Sequence, residues 1–238
     1  MTDTIDGPLG PFKIPTSAHP RTREVCEYLS RQVFGDAETL GEYDSPELPA
    51  FNRVTTTKAE GDPVEYTQSE YAVILDVGSS WGPFTCWAYA KWPGSVIHCY
   101  EPHDEASSVF VQNVATIPHG HVALYRVAVT IDPAPKINGC EDFGAYHVAS
   151  VDDTCARPVV GLHPRDLPRC DILKVDIEGG EVDLLEHYPH LATCRALLIE
   201  FHSFEKRERV TAVALDAGFV RAKAAPENAS YGVDVWTK

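Results

Sequence analysis

The chain has 238 residues, of which 44% are hydrophobic and 23% are charged, so disorder is excluded as the main state and one large packed domain, or one domain with an appendage, is predicted. No stretch approaches the ~20 apolar residues that a transmembrane helix needs, so no membrane partner is expected. The formal net charge of −15 would repel a phosphate backbone, so nucleic acid is not an expected partner either.

The first 70 residues give few signals of regular structure. Residues 1–21 are rich in proline and predict an irregular arm, without the basic and apolar segments of a signal peptide. Arg21–Phe34 has apolar residues at helical spacing and predicts a helix, whereas residues 35–70 show no clear period. We expect residues 1–70 to form an arm and a helical lid over a site in the remaining domain, residues 71–238.

The cysteines indicate the cellular compartment. Seven are present, an odd number, and no two of them have C-x-x-C spacing. This pattern is typical of reduced, buried thiols rather than of a disulfide framework or a zinc site, and it predicts a cytoplasmic protein.

From Tyr71 onward, short β-rich runs alternate with helical stretches. The predicted strands are Ala72–Val77, Ser95–Tyr100, Val122–Val129, Asp171–Val175 and Ala196–Phe201. The predicted helices are Phe84–Lys91, Asp104–Ala115, Gly180–His187 and Glu205–Ala217. This order is typical of βαβ units around a parallel sheet. Phe219–Lys223 and Gly232–Thr237 predict a terminal hairpin, and residues 145–151 an additional strand.

The first strand of this domain ends in a glycine-containing turn, LDVGSSWGPFT. Gly78 would allow a tight turn and close approach of a ligand, and Gly82 would let the next helix pack near the strand. The spacing is neither G-x-G-x-x-G nor that of a P-loop, which disfavours a pyrophosphate-binding loop.

Two carboxylates at strand ends indicate the ligand. Glu101 ends the second strand, 23 positions after Gly78, where a carboxylate is well placed to accept both hydroxyls of a ribose. Asp76, at the end of the first strand, would repel a phosphate but would suit an amine or a sulfonium. The pair therefore predicts a positively charged nucleoside, and S-adenosylmethionine (SAM) fits that description.

These residues, read with DILKVDIEGGEVDLLEHYPHL, SVDDTC and LLIEFHS, resemble the FkbM family of SAM-dependent methyltransferases over residues 71–203. The resemblance implies an α/β fold with a Rossmann-like, seven-stranded class I methyltransferase sheet of order 3-2-1-4-5-7-6, whose last strand is antiparallel, here with an N-terminal helical extension. It also implies O-methylation of a hydroxyl on a sugar, polyketide or other small natural product. The cofactor-binding residues it implies are Asp76, Gly78, Ser79, Trp81, Gly82, Phe84, Thr85, Glu101, Pro102 and Asp176.

Candidate catalytic residues follow the fourth and fifth strands of this domain. Asp176 and Glu178 are two residues apart and should leave the strand on the same side, and Glu200 and His202 do the same on the neighbouring strand. An acceptor hydroxyl must lose its proton, and two routes stay open. His202 could be a neutral general base near pH 7, or Asp176, Glu178 and Glu200 could hold a Mg²⁺ ion that acidifies the hydroxyl.

Two other interpretations remain open. A NAD(P)-dependent Rossmann oxidoreductase is the first, and the missing G-x-G-x-x-G counts against it. A methyltransferase-fold protein that binds SAM without catalysis is the second, and the acidic cluster of residues 176–181 counts against it. The identity of the acceptor and the oligomeric state have no signal in the sequence.

Overall fold

The computed structural model of the chain describes residues 2–15, 33, 43–51, 71–137 and 156–238. In chain order its strands are β1 Thr2–Gly7, β2 Gly10–Pro15, β3 Val73–Val77, β4 Val96–Tyr100, β5 Val122–Tyr125, β6 Ala128–Val129, β7 Lys136–Ile137, β8 Arg157–Pro158, β9 Gly161–Leu162, β10 Ile172–Val175, β11 Ala196–Phe201, β12 Val220–Lys223 and β13 Gly232–Thr237. Its helices are α1 Pro83–Lys91, α2 Asp104–Asn113, α3 Glu181–His187 and α4 Phe204–Asp216, with short 3₁₀ turns at Val114–Thr116, Pro164–Asp166 and Leu191–Thr193.

Seven of these strands form one sheet in the order β12-β13-β11-β10-β3-β4-β5. The neighbours from β11 to β5 pair in parallel, and the last strand, β13, runs antiparallel to both β11 and β12. Numbered by their order in the chain, the seven strands give 3-2-1-4-5-7-6. The predicted fold class, strand order and terminal hairpin are therefore confirmed.

The sheet is buried on both faces, as expected for strands made of nearly continuous aliphatic residues. On one face, residues such as Leu75 and Val175 pack against Leu184 and Val210 of α3 and α4. On the other face, Ile74 and its neighbours pack against the side of α1 and α2. This three-layer arrangement leaves the carboxyl ends of β3, β4, β10 and β11 at one edge, where all the predicted site residues lie.

The strand predicted over Val122–Val129 is divided in the structure. Strand β5 ends at Tyr125, because the chain turns there and the backbone N–H of Val127 donates to the Tyr125 carbonyl (3.0 Å). The short strand β6 then leaves the main sheet and pairs in parallel with β9, while β7 pairs with β8. These short paired strands have too few residues to show a periodic pattern of hydrophobic residues in the sequence.

The N-terminal arm is also different from its prediction. Instead of being irregular, residues 2–15 form an antiparallel hairpin in which Gly7 pairs with Gly10. Gly10 has a φ of 112°, a conformation that glycine adopts without strain, so Gly7, Pro8 and Gly10 form the turn, whereas Pro11 and Pro15 lie within β2. The helix predicted over Arg21–Phe34, apart from Val33, and the strand predicted over 145–151 lie outside the described residues.

The prediction of reduced, buried cysteines is confirmed for four residues. Their thiols are free and buried, namely those of Cys86, Cys99, Cys170 and Cys194.

Within the described part of the chain, none of the helices combines the length and the apolar character that crossing a membrane requires.

Candidate active site

A cavity lies at the carboxyl edge of the sheet, between the loop after β3 and the ends of β4, β10 and β11. Seven of the ten predicted cofactor-binding residues line it, namely Gly78, Ser79, Trp81, Phe84, Glu101, Pro102 and Asp176. Glu178 and Glu200 line it as well. The structure thus brings together residues from four separate strand ends in one concave site.

The glycine loop after β3 is held tightly against its neighbours. The N–H groups of Gly78 and Ser79 both donate to the Tyr100 carbonyl, at 3.0 and 3.1 Å, and the Ser79 hydroxyl donates to the Asp76 carbonyl at 3.0 Å. Gly78 has a φ of 82°, and a Cβ atom at this position would lie 1.6 Å from the Asp176 carbonyl oxygen. Only glycine therefore allows this loop to contact the chain that follows β10.

We expect Gly78→Ala to lower the free energy of unfolding by about 3 kcal/mol or more, because overpacking adds to the strain of a left-handed backbone. Gly120→Ala is the matched control, since Gly120 has a φ of 88° with open space around its missing side chain. That variant should lose only ~1–2 kcal/mol. Urea unfolding measures both, and equal losses would contradict the proposed collision with Asp176.

Glu101 is a buried carboxylate in the cavity wall, with 6% of its surface exposed. Its two oxygens accept from the backbone N–H groups of Ser80 (2.8 Å) and His103 (2.7 Å). Burial raises the pKa of Glu101 to about 7, although both hydrogen bonds oppose the change. Each carboxylate oxygen can accept a second hydrogen bond, so Glu101 retains the capacity to bind two hydroxyls.

Asp76 is outside the cavity lining, which counts against the predicted direct contact with a sulfonium. Its side chain is fully buried, where it accepts from the Thr85 hydroxyl (2.6 Å) and lies 3.3 Å from the Lys174 ammonium. Strand register explains the pairing, because Lys174 on β10 lies directly opposite Asp76 on β3. Thr85 and Gly82 also lie outside the cavity lining, and Gly82 packs against the Phe110 ring.

Lys174 lines the cavity, and the sequence interpretation did not include it among the site residues. Only 3% of its surface is exposed, and its ammonium donates to the Gly78 carbonyl (2.6 Å) and lies 3.5 Å from Asp176. Burial alone would lower the pKa of Lys174, but Asp76, Asp176 and Glu200 raise it above its ordinary value. A lysine inside the apolar strand ILKV was the available signal, since a buried lysine needs a partner.

His202 lies within a cluster of carboxylates. Its Nε2 atom is 3.1 Å from Glu178 and 3.9 Å from both Asp176 and Glu200, and its Nδ1 atom is 3.2 Å from Glu181. Burial lowers the pKa of His202, but the hydrogen bonds to Glu178 and Glu181 outweigh it and raise the pKa to about 11. This raised pKa favours the imidazolium form and counts against the predicted neutral base near pH 7, so the catalytic role of His202 stays a prediction.

A comparison with known protein families shows to which family the chain belongs. The family described as "Methyltransferase FkbM domain" matches residues 76–225, which is more than half of the sequence. The chain belongs to the FkbM methyltransferase family. No curated protein matches this FkbM methyltransferase in sequence.

Three solved structures are similar to this FkbM methyltransferase at low sequence identity. Precorrin-6y C5,15-methyltransferase from Geobacter metallireducens is 11% identical, over 71% of this chain and 82% of that chain, with a TM-score of 0.43. Magnesium protoporphyrin IX methyltransferase from Synechocystis with bound SAM is 12% identical, over 71% and 70%, with a TM-score of 0.42. Precorrin 8w decarboxylase from Methanobacterium thermoautotrophicum is 13% identical, over 98% and 96%, with a TM-score of 0.44. These similarities are too distant to indicate a substrate.

Metal binding by this FkbM methyltransferase stays a prediction, and the potential ligands that the structure brings together differ by one residue from the predicted set. The potential ligand atoms of Asp176, Glu178 and His202 all lie within 4.8 Å of one another. Glu181 orients the His202 ring. Its fully buried carboxylate accepts from the Gly179 N–H (2.7 Å) and also lies against Nδ1 of His202. The potential ligands that lie together are therefore Asp176, Glu178 and His202, whereas the predicted set contained Glu200 instead of His202.

Glu200 has a different partner, Tyr43, which no local signal could have identified. The Tyr43 hydroxyl donates to Glu200 at 3.4 Å, across 157 positions of sequence. The Tyr43 ring is buried and lies edge-on to Phe84, with 5.2 Å between ring centroids. A residue from the N-terminal 70 thus forms part of the cavity wall of this FkbM methyltransferase.

Proposed function

We propose that this FkbM methyltransferase is a SAM-dependent enzyme that methylates a hydroxyl group of a sugar, polyketide or other small natural product. The observation that carries the proposal is the composition of one cavity. It joins a buried carboxylate suited to ribose hydroxyls, Glu101, with Asp176, Glu178 and Glu200, and His202 lies directly behind Glu178 (3.1 Å) outside the cavity lining. The first feature suits a nucleoside cofactor, and the second suits proton removal from an acceptor.

The residues around the cavity fit SAM. Glu101 would accept the ribose hydroxyls, and the backbone of Gly78 and Ser79 would lie against the remainder of the ligand. Apolar residues of the opposite wall, Val127–Val129 and Ile137, would cover the adenine. When bound, SAM supplies an electrophilic methyl group on a positively charged sulfur.

The charges at the cavity favour a sulfonium over a pyrophosphate. Asp176, Glu178 and Glu200 line the same wall region, and Lys174 is the single cation among the described lining residues. Since like charges repel at short range, a dinucleotide would be disfavoured in this site. The preference for a sulfonium over a phosphate, which the sequence analysis based on Asp76, thus depends on these three carboxylates instead. The same preference counts against a NAD(P)-dependent oxidoreductase.

Removal of the hydroxyl proton could follow either of two routes. In the first, Asp176 or Glu178 accepts the proton, while the His202 imidazolium and Lys174 hold these carboxylates in place. In the second, Asp176, Glu178 and a deprotonated His202 would hold a divalent cation, which would acidify the acceptor hydroxyl. Two carboxylates and one imidazole suit Mn²⁺ better than Mg²⁺, which prefers an all-oxygen environment.

Methyl-labelled SAM incubated with a panel of hydroxylated small molecules tests the function directly. We expect label in a product whose new ether bond resists mild alkali, and calorimetry should show binding of S-adenosylhomocysteine. Binding of NAD(P) without binding of S-adenosylhomocysteine would reject the proposal. Full activity in excess EDTA would exclude the cation and leave the carboxylate route.

Asp176→Asn should lower turnover of the identified acceptor by about 10²-fold or more, because both routes use this carboxylate. The same variant should bind S-adenosylhomocysteine within about threefold of the wild type, since amide and carboxylate have the same shape. Glu208→Gln, which changes an exposed carboxylate on α4, is the control and should change neither quantity. Unchanged turnover in Asp176→Asn would remove Asp176 from the reaction.

A further inference from the structure

The side chain of Asn113, the last residue of α2, connects two distant parts of the molecule. Its Oδ1 atom accepts from the Lys13 backbone N–H (2.6 Å), and its Nδ2 atom donates to the Lys13 carbonyl (2.8 Å). The same Nδ2 atom donates to the Trp81 carbonyl (2.8 Å) in the glycine loop. One buried amide thus joins strand β2 of the N-terminal hairpin to the loop that lines the cavity.

Apolar packing supports the same connection. Phe12, the residue before Lys13, is buried in a small cluster with Trp81, Cys86 and Val109. Trp81 in turn lines the cavity. The hairpin therefore packs with the side chain of Trp81 and is joined to the Trp81 backbone through Asn113.

The loop needs such support because one of its non-glycine residues, Ser80, is in an unfavourable backbone conformation. Gly78 and Gly82 have positive φ values, and Ser80, which is not a glycine, has a φ of 50°. A residue held in this region costs about 1–3 kcal/mol and persists only where its surroundings fix it. Ser80 must keep this conformation for its N–H to reach Glu101 (2.8 Å), and the Trp81 carbonyl fixed by Asn113 is adjacent.

We propose that Asn113 is a positioning residue of the cofactor site and that the N-terminal hairpin is a structural part of that site. The proposal rests on the proposed function, because it names the elements that hold the SAM-binding loop. Cofactor binding and hairpin docking stabilise the same loop conformation. By thermodynamic linkage, each should therefore strengthen the other.

Asn113→Asp tests this role, because aspartate has the same shape and keeps the acceptor for the Lys13 N–H. It replaces the two donated hydrogen bonds with a carboxylate oxygen facing the carbonyls of Lys13 and Trp81. We expect calorimetry to show about tenfold weaker binding of S-adenosylhomocysteine or more. Gln112→Ala is the matched control, since it removes two exposed hydrogen bonds, one from the Lys13 ammonium and one to the Ser108 carbonyl, and its affinity should not change.

Hydrogen exchange gives a second readout that a general loss of stability would not reproduce. In the wild-type chain, saturating S-adenosylhomocysteine should slow amide exchange in residues 4–13, and in Asn113→Asp this slowing should disappear. Phe12→Ala, which loosens the hairpin without changing Asn113, should weaken binding in the same direction. It keeps the test decisive if Asn113→Asp does not fold.

The outcomes separate this inference from the proposed function. Wild-type affinity in Asn113→Asp, or hairpin exchange that does not respond to the ligand, would overturn the positioning role while leaving the function intact. Absence of S-adenosylhomocysteine binding in the wild type would overturn both.

Discussion

Lys174→Met should lower the free energy of unfolding by about 3–5 kcal/mol, because it leaves the Asp76 carboxylate buried without an opposite charge. Only 3% of Lys174 and none of Asp76 is exposed, so water cannot replace the lost ammonium. A buried carboxyl group without a partner prefers its neutral form, so the loss should be larger at pH 8 than at pH 6. Urea unfolding at the two pH values measures both effects.

A second variant separates the ion pair from simple packing. The double variant Asp76→Asn, Lys174→Met removes both charges and should recover part of the lost stability, because no unpaired charge remains. Arg209→Met is the surface control, since its pair with Glu186 at 3.1 Å is more than 40% exposed on both sides and should contribute less than about 1 kcal/mol. No recovery in the double variant would show that Lys174 acts mainly by packing.

Glu101→Gln should weaken SAM binding by about 100-fold, because hydrogen bonds to a charged acceptor contribute ~1.5–3 kcal/mol each and the ribose would form two of them. Glutamine keeps the shape of the side chain and one acceptor oxygen. It cannot, however, accept from both Ser80 and His103 as the carboxylate does. Calorimetric titration measures the change, and unchanged affinity would show that Glu101 does not bind the ribose.

The affinity for SAM should also depend on pH through Glu101. Its pKa of about 7 is raised by burial, so the group is largely protonated at pH 6 and largely ionised at pH 8. Ribose hydroxyls donate best to the ionised form, and affinity should therefore rise by about tenfold from pH 6 to pH 8. Ionisation of SAM itself changes the affinity of the wild type and of Glu101→Gln equally. The part of the pH dependence that is lost in Glu101→Gln therefore comes from Glu101. An equal slope in the two proteins would assign the pH dependence elsewhere.

The sequence by itself determined the fold and the location of the site. Aliphatic runs such as those of β3 and β11 alternate with helical segments, and this local periodicity is sufficient to predict a parallel sheet. The carboxyl ends of parallel strands meet at one edge, so Gly78, Glu101 and Asp176 could be placed together without coordinates. Each of these inferences depends on residues close in sequence or on a general rule of topology.

Only the tertiary structure decided which charged side chains line the cavity and which residues contact them. Asp76 is neutralised by Lys174, 98 positions away, because two strands pair in one particular register. The pKa of His202 is raised because carboxylates from the loop after β10, from the start of α3 and from β11 surround it. Asn113 reaches Lys13 across 100 positions. Contacts over such distances leave no local pattern, since they depend on how complete elements pack rather than on the residues beside them.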